Sequence, residues 1–165
     1  MMPFLVRKIT LSKWKKSINE FGDDSISADA PTSCLRTTNN TLSFWIAETE
    51  QDIRRAAMAI LASLDSISSL DYVVLDTGNI EALELAIEAT PGDTLLAGAD
   101  TLHRDLVNLD IQKLKIVSEM IRDTVKDDNH KRISVGEIKK MFKEACDKGD
   151  LDLKSLPTSI QDKVA

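Results

Sequence analysis

TLSFWIAETEQDIRRAAMAILASLDSISSLDYVVLD, residues Thr41–Asp76, decides how the rest of the chain is read. It predicts strand, helix, strand. Leu42-Ser43-Phe44-Trp45-Ile46-Ala47 is a short run of strand formers. Thr49-Glu50-Gln51-Asp52 has the form of a capping box, with Asp in place of the longer Glu. Ile53, Ala57, Ile60, Leu61 and Leu64 then recur at i, i+4, i+7, i+8 and i+11, a single apolar stripe. Tyr72-Val73-Val74-Leu75 has the composition of a strand covered on both faces. No other segment combines a cap, a stripe and two strands.

Working toward the N-terminus, Phe4-Leu5-Val6-Arg7-Lys8-Ile9 reads as a strand. Leu11, Trp14, Ile18 and Phe21 form a helix face that stops at Gly22. Lys13, Lys15 and Lys16 lie on its other side and read as a solvated face. Gly22–Ser33 reads as a loop. Cys34–Thr38 reads as a strand joined to Thr41–Ala47 by a tight Asn39-Asn40 hairpin, because Asn tolerates positive φ. The resulting order is β-α-β-β-α-β. It predicts an α+β fold with a small antiparallel or mixed sheet, and it fits a ferredoxin-like split βαβ sandwich with two helices on one face.

Beyond Asp76 the pattern turns helical. Ile80, Leu83 and Ile87 predict a helix ended by Thr90-Pro91-Gly92. Leu102, Leu106 and Leu109 predict another. Asp110 caps a longer one carrying Ile111, Leu114, Val117, Ile121 and Val125. Ser134-Val135-Gly136-Glu137 is a second capping box, opening a helix with Ile138, Met141, Phe142 and Ala145. The organisation expected is an α+β sheet region over 1–78 and a helical region over 79–165, packed together as one compact domain.

With 42% hydrophobic residues in 165, the chain can bury a sizeable core. The net charge of -6 disfavours bulk binding to nucleic acid, which needs a basic face. Two distant cysteines, Cys34 and Cys146, make no disulfide framework and read as thiols in a reducing compartment. No window has the ~20 apolar residues of a membrane span. The expectation is a soluble cytoplasmic protein without membrane contact.

Chemistry-bearing candidates are few. Tyr72–Gly78 ends a strand on Asp76, where α/β folds often place reacting groups. Its letters resemble the apolar-apolar-Asp-Thr-Gly motif of aspartic proteases. That family places Ser or Ala after the Gly, and here Asn79 stands there. The simpler reading makes Asp76 or Thr77 the cap of the next helix. Asp127–Ile138 resembles the second half of an EF-hand loop, but Lys126, His130 and Lys131 occupy positions where calcium needs oxygen ligands or a turning Gly. His103 and His130 lack partners at zinc spacing. No cofactor or metal is expected.

Lys126, Lys131, Arg132, Lys139, Lys140 and Lys143 make residues 126–143 locally basic, with acidic residues interleaved. Trp14 and Trp45 are large aromatics of the kind found at interface hot spots, although both fall on core-facing positions. The first functional reading is a non-enzymatic protein-binding module: an accessory subunit, adaptor, inhibitor or immunity-type protein. Trp14, Trp45, Lys131, Arg132, Lys139 and Lys140 are its contact candidates. Its partner is another protein, basic in charge given the acidity of this chain, and a homo-oligomer is compatible with it. The alternatives are a small hydrolase or nuclease using Asp76, and a nucleic-acid-binding regulator through residues 126–143.

Overall fold

The structure, a computed structural model, describes residues 2–165. Its centre is one six-stranded antiparallel sheet in the order β4-β5-β2-β1-β3-β6. The strands are β1 (Phe4–Lys8), β2 (Leu42–Ala47), β3 (Leu70–Asp76), β4 (Ala86–Ala89), β5 (His103–Val107) and β6 (Lys131–Ile133). The helices are α1 (Leu11–Phe21), α2 (Asp29–Cys34), α3 (Ile53–Leu61), α4 (Thr77–Ala82), α5 (Ile111–Lys126), α6 (Val135–Lys148) and α7 (Thr158–Val164). The fold class is α+β, as the sequence indicates.

Because successive residues of a strand face opposite sides, each central strand feeds two cores. Val6, Trp45, Ala47, Leu70 and Tyr72 point to one side, where α3, α6 and α7 bury Ala57, Ile60, Ile138, Phe142 and Ile160. Leu5, Phe44, Ile46, Val73 and Leu75 point to the other, against Trp14 of α1 and Val117 and Ile121 of α5. Helices therefore cover both faces. The four-stranded, one-faced sandwich expected from residues 3–77 is replaced by this wider three-layer arrangement.

Two local differences explain the change. Asp29–Cys34 is helical, and the Asn39-Asn40 turn closes only a single bridge, Thr38 to Thr41. The strand expected at Cys34–Thr38 is absent, because Ala30 is drawn into the core beside Trp14 and Leu35. The region after residue 79 is not wholly helical either. The helix expected over Ile80–Ala89 stops at Ala82, and β4 follows it. The helix expected from Leu102 is β5, which pairs with β2 from Leu42↔Leu106 to Trp45↔His103. Three strands from the second half thus complete the sheet begun by the first.

The caps form largely as read. Asp52 Oδ2 accepts from the Thr49 backbone N–H at 3.0 Å and from its hydroxyl at 2.8 Å. Ser134 Oγ accepts from the Glu137 N–H at 3.3 Å. Glu137 does not reach back to Ser134, however. Its carboxylate pairs at 2.9 Å with Arg54 of α3, joining the starts of two neighbouring helices. A strap over Pro91–Thr101 crosses the α3 side of the sheet. Thr94 Oγ1 donates to Ala59 O at 2.8 Å and the Ala97 N–H to Asp150 O at 2.8 Å. No helix among the described residues is long and apolar enough to cross a membrane.

Candidate partner-binding groove

β6 is too short to cover β3. The turn before it requires positive φ at Asp128 (56°), and Ser134 already caps α6. Only Lys131–Ile133 remain to pair, opposite Leu70–Tyr72. Hydrogen bonds from Ile9 N to Asp71 O (2.9 Å) and from Thr77 N to Pro3 O (3.1 Å) set the phase of the β1–β3 ladder. In an antiparallel ladder alternate residues bond to opposite neighbours. Asp71, Val73 and Leu75 therefore direct their backbone groups to β1. Leu70, Tyr72 and Val74 direct theirs outward, and among the described residues Val74 has no strand opposite it.

Val74 lies where two hollows meet. One, about 580 Å³, is floored by Phe4, Ile53, Tyr72 and Val74 and walled by Lys131 and Arg132 among others. The second, about 550 Å³, shares Phe4 and Val74 and adds Leu75, Leu83, Met120 and Asp123. Leu83 is 44% exposed although it is apolar. The combined groove straddles an open strand edge with apolar side chains on both sides of it. Its charges are polarised. Lys131, Arg132 and Arg54 gather at the β6 end, alongside Glu50 and Glu137. Among the described residues, Asp76 and Asp123 are the only charged ones lining the other end.

Tyr72 reports the polarity of this floor. Burial raises its phenol above the ordinary 10.0. Nearby Glu137 pushes the same way and Arg54 opposes it. Arg132 is held on Asp71 by two bonds, Nε to Oδ1 at 2.8 Å and Nη2 to Oδ2 at 3.0 Å. That bidentate contact raises the guanidinium further above its ordinary value.

The contact candidates read from the sequence separate in space. Lys131 and Arg132 line the groove. Lys139 and Lys140 lie on the exposed face of α6, outside the groove lining. Trp14 is fully buried between α1 and the sheet, and Trp45 is buried beneath the strap except for an edge that lines a second cleft, away from this groove. Asp76 caps α4: its Oδ1 accepts from Gly78 N at 2.8 Å and Asn79 N at 3.3 Å. It also lines the groove with Asp123. His103 belongs to a cross-strand network. The Thr90 hydroxyl donates to Asp105 Oδ2 at 2.9 Å and meets His103 Nδ1 at 2.8 Å, while Ser43 Oγ donates to Asp105 Oδ1 at 3.0 Å. Among the described residues no group of three or more His, Cys, Asp or Glu is placed to hold a metal ion.

Phe4, Val74, Leu83 and Met120 were not legible as site residues. A signal was present nonetheless. Only His130-Lys131-Arg132-Ile133 fits between the Asp-Asp-Asn turn and the Ser134 cap, and four residues cannot cover a seven-residue strand.

Comparison with protein-family models, with curated proteins and with solved structures gives no match.

Proposed function

We propose that this chain is a protein-binding module that takes an extended segment of another protein along the open edge of β3. The observation that supports this reading is the outward-facing backbone of Val74, unpaired by any strand and set in an apolar groove. Strand addition uses such an edge: main-chain bonds supply affinity, and pockets for alternate side chains supply selectivity. Exposed strand edges are usually short, charged or covered. This one is flanked by Phe4, Leu83 and Met120.

The charge distribution supports a basic residue at one end of such a segment. A segment antiparallel to β3 starts at the Asp76 and Asp123 end and leaves toward Lys131. In that orientation the segment that fits carries a basic residue at its N-terminal side and apolar residues at alternate positions. The net charge of -6 steers the same kind of partner.

Val74→Pro tests the reading. It removes the outward N–H and leaves the bonds to β1 in place, because proline is tolerated where the N–H faces away from the ladder. Peptides selected from a displayed random library on the full chain should bind Val74→Thr nearly as well as the parent. They should lose about tenfold or more on Val74→Pro, with circular dichroism unchanged. Equal binding to Val74→Pro, or a library that yields no binder, would refute strand addition here.

A further inference from the structure

A second cleft, at the opposite end of the sheet, has a different chemistry. It is about 310 Å³ and is lined by Arg7, Lys8, Thr10, Ser33, Cys34 and Ser43 on one side, with Trp45, Ile60 and Leu64 on the other. Two cations and no carboxylate line it, in a chain whose net charge is -6.

Arg7 is the unusual member. Its Nη1 donates to Ser43 O and its Nη2 to Cys34 O, and the guanidinium lies 5.5 Å from the centre of the Phe44 ring. Nε is buried and has no partner. None of the ion pairs among the described residues involves Arg7 or Lys8. Asp105, the nearest acid to act on Arg7, spends both carboxylate oxygens on the Ser43 and Thr90 hydroxyls. Burial lowers the Arg7 pKa to about 10, with Cys34 and Asp105 only partly opposing. A cation sunk beside two carbonyls with no acid in direct contact is costly, and an anion in the cleft offsets that cost.

The donors left in the cleft define the ligand. Ser33 and Ser43 already donate, to Ala30 O and to Asp105. Among the described residues, the remaining Nη protons of Arg7, the Lys8 ammonium and the Thr10 hydroxyl have no protein acceptor. Arginine and lysine with a hydroxyl form a cradle for an oxyanion. Trp45, Ile60 and Leu64 supply an apolar wall beside it.

We propose that this cleft binds a small organic oxyanion, a phosphate or carboxylate head on an apolar body, held by Arg7, Lys8 and Thr10. The body lies along Trp45 and Leu64, and the head sits next to Cys34. The site is independent of the β3 groove.

Cys34 makes the test direct, because an occupied cleft shields its thiol. In a Cys146→Ser background, alkylation of Cys34 by iodoacetamide is timed with inorganic phosphate, phenyl phosphate or phenylacetate at millimolar concentration, each against chloride of equal ionic strength. At least one aromatic probe should slow labelling more than inorganic phosphate does. Phenyl phosphate acting alone assigns a phosphate head, and phenylacetate acting alone assigns a carboxylate. Lys8→Gln, an exposed strand position that leaves the fold intact, and Thr10→Val should each weaken that protection by about tenfold. Arg7→Lys should weaken it more, and it is read only if its circular dichroism matches the parent. Labelling indifferent to all three probes, or protection undiminished in Lys8→Gln and Thr10→Val, would overturn the proposal.

Discussion

Gly92→Ala probes how tightly the strap is seated on the sheet. Gly92 donates its N–H to Asp100 O at 3.0 Å and lies against Trp45 and His103, whose rings meet edge to face at 5.1 Å. A Cβ added there falls 2.6 Å from Trp45 Cη2, 2.7 Å from His103 Cβ and 2.9 Å from Trp45 Cζ3. Carbon atoms prefer about 3.5–4.0 Å, so all three contacts are short by about 1 Å. None of these atoms is the tip of a flexible chain. The indole is confined between the strap and the sheet, and the His103 Cβ is fixed by β5. Overpacking of this kind costs about 1–3 kcal/mol, and the rigidity of the site places Gly92→Ala near 3. For a chain of this size that lowers Tm by about 6–12 °C. Urea unfolding followed by tryptophan fluorescence measures it, with Gly136→Ala as the control. Gly136 lies in the first turn of α6 with nothing within 4 Å of an added Cβ. Its replacement should leave stability unchanged or raise it by less than about 1 kcal/mol. If Gly92→Ala unfolds within about 0.5 kcal/mol of the parent, the strap is not packed on Trp45 as described.

Tyr72 is the only tyrosine, so absorbance at alkaline pH follows it alone. It should ionise above 10.0 in the folded chain and fall back in urea. Because its folded pKa is the higher one, the unfolded state loses its proton first. The Tyr72 contribution to stability is therefore constant below pH 10 and declines as pH rises past it. Glu137→Gln should lower the folded value, and an unchanged titration would remove Glu137 as a cause. Phe142→Ala, at a fully buried position beneath α6, should cost about 3–5 kcal/mol in urea unfolding. Ser17 is buried and its Oγ accepts from Ser27 N at 2.8 Å, so Ser17→Ala leaves that N–H without its partner. A loss of about 1–3 kcal/mol is expected in the same assay, and a neutral result would mean that solvent satisfies Ser27.

What the sequence made legible follows from how local each signal is. The stripe in Ile53–Leu61 and the caps at Thr49, Asp110 and Ser134 are local, and all appear where the residues indicate. β1, β2 and β3 are central strands with apolar residues on both faces, so composition alone marks them. β4 and β5 carry Ala-Ile-Glu-Ala and His-Arg-Asp-Leu-Val, poor strand formers by propensity. Pairing of β5 with β2, more than fifty residues away, and of β4 with β5 in turn decides their state, and a local window cannot contain that information. The spacing of Ile80, Leu83 and Ile87 mimics a helix because two short elements meet there by accident of length. The groove was hidden for a related reason. It depends on where β6 ends relative to β3, a register between segments, whereas Lys131 and Arg132 were visible as charges alone. The Arg7 cleft was unreadable because Arg7 sits inside an ordinary strand pattern.

The middle of the sheet comes from the first half of the chain and its outer strands from the second, and this imposes an order on synthesis. β1, β2 and β3 are complete once Asp76 has left the ribosome. The outer edge of β2, from Leu42 to Trp45, then waits for β5, which ends at Val107. During that interval the nascent polypeptide displays an uncharged, aromatic-bearing strand with no neighbour, the state most open to association with other copies. A translation pause before Val107 prolongs that exposure, while one placed after it meets a sheet already closed on that side. Codon tempo across residues 77–107 therefore bears on the yield of correctly folded protein, without altering a single contact in the finished molecule.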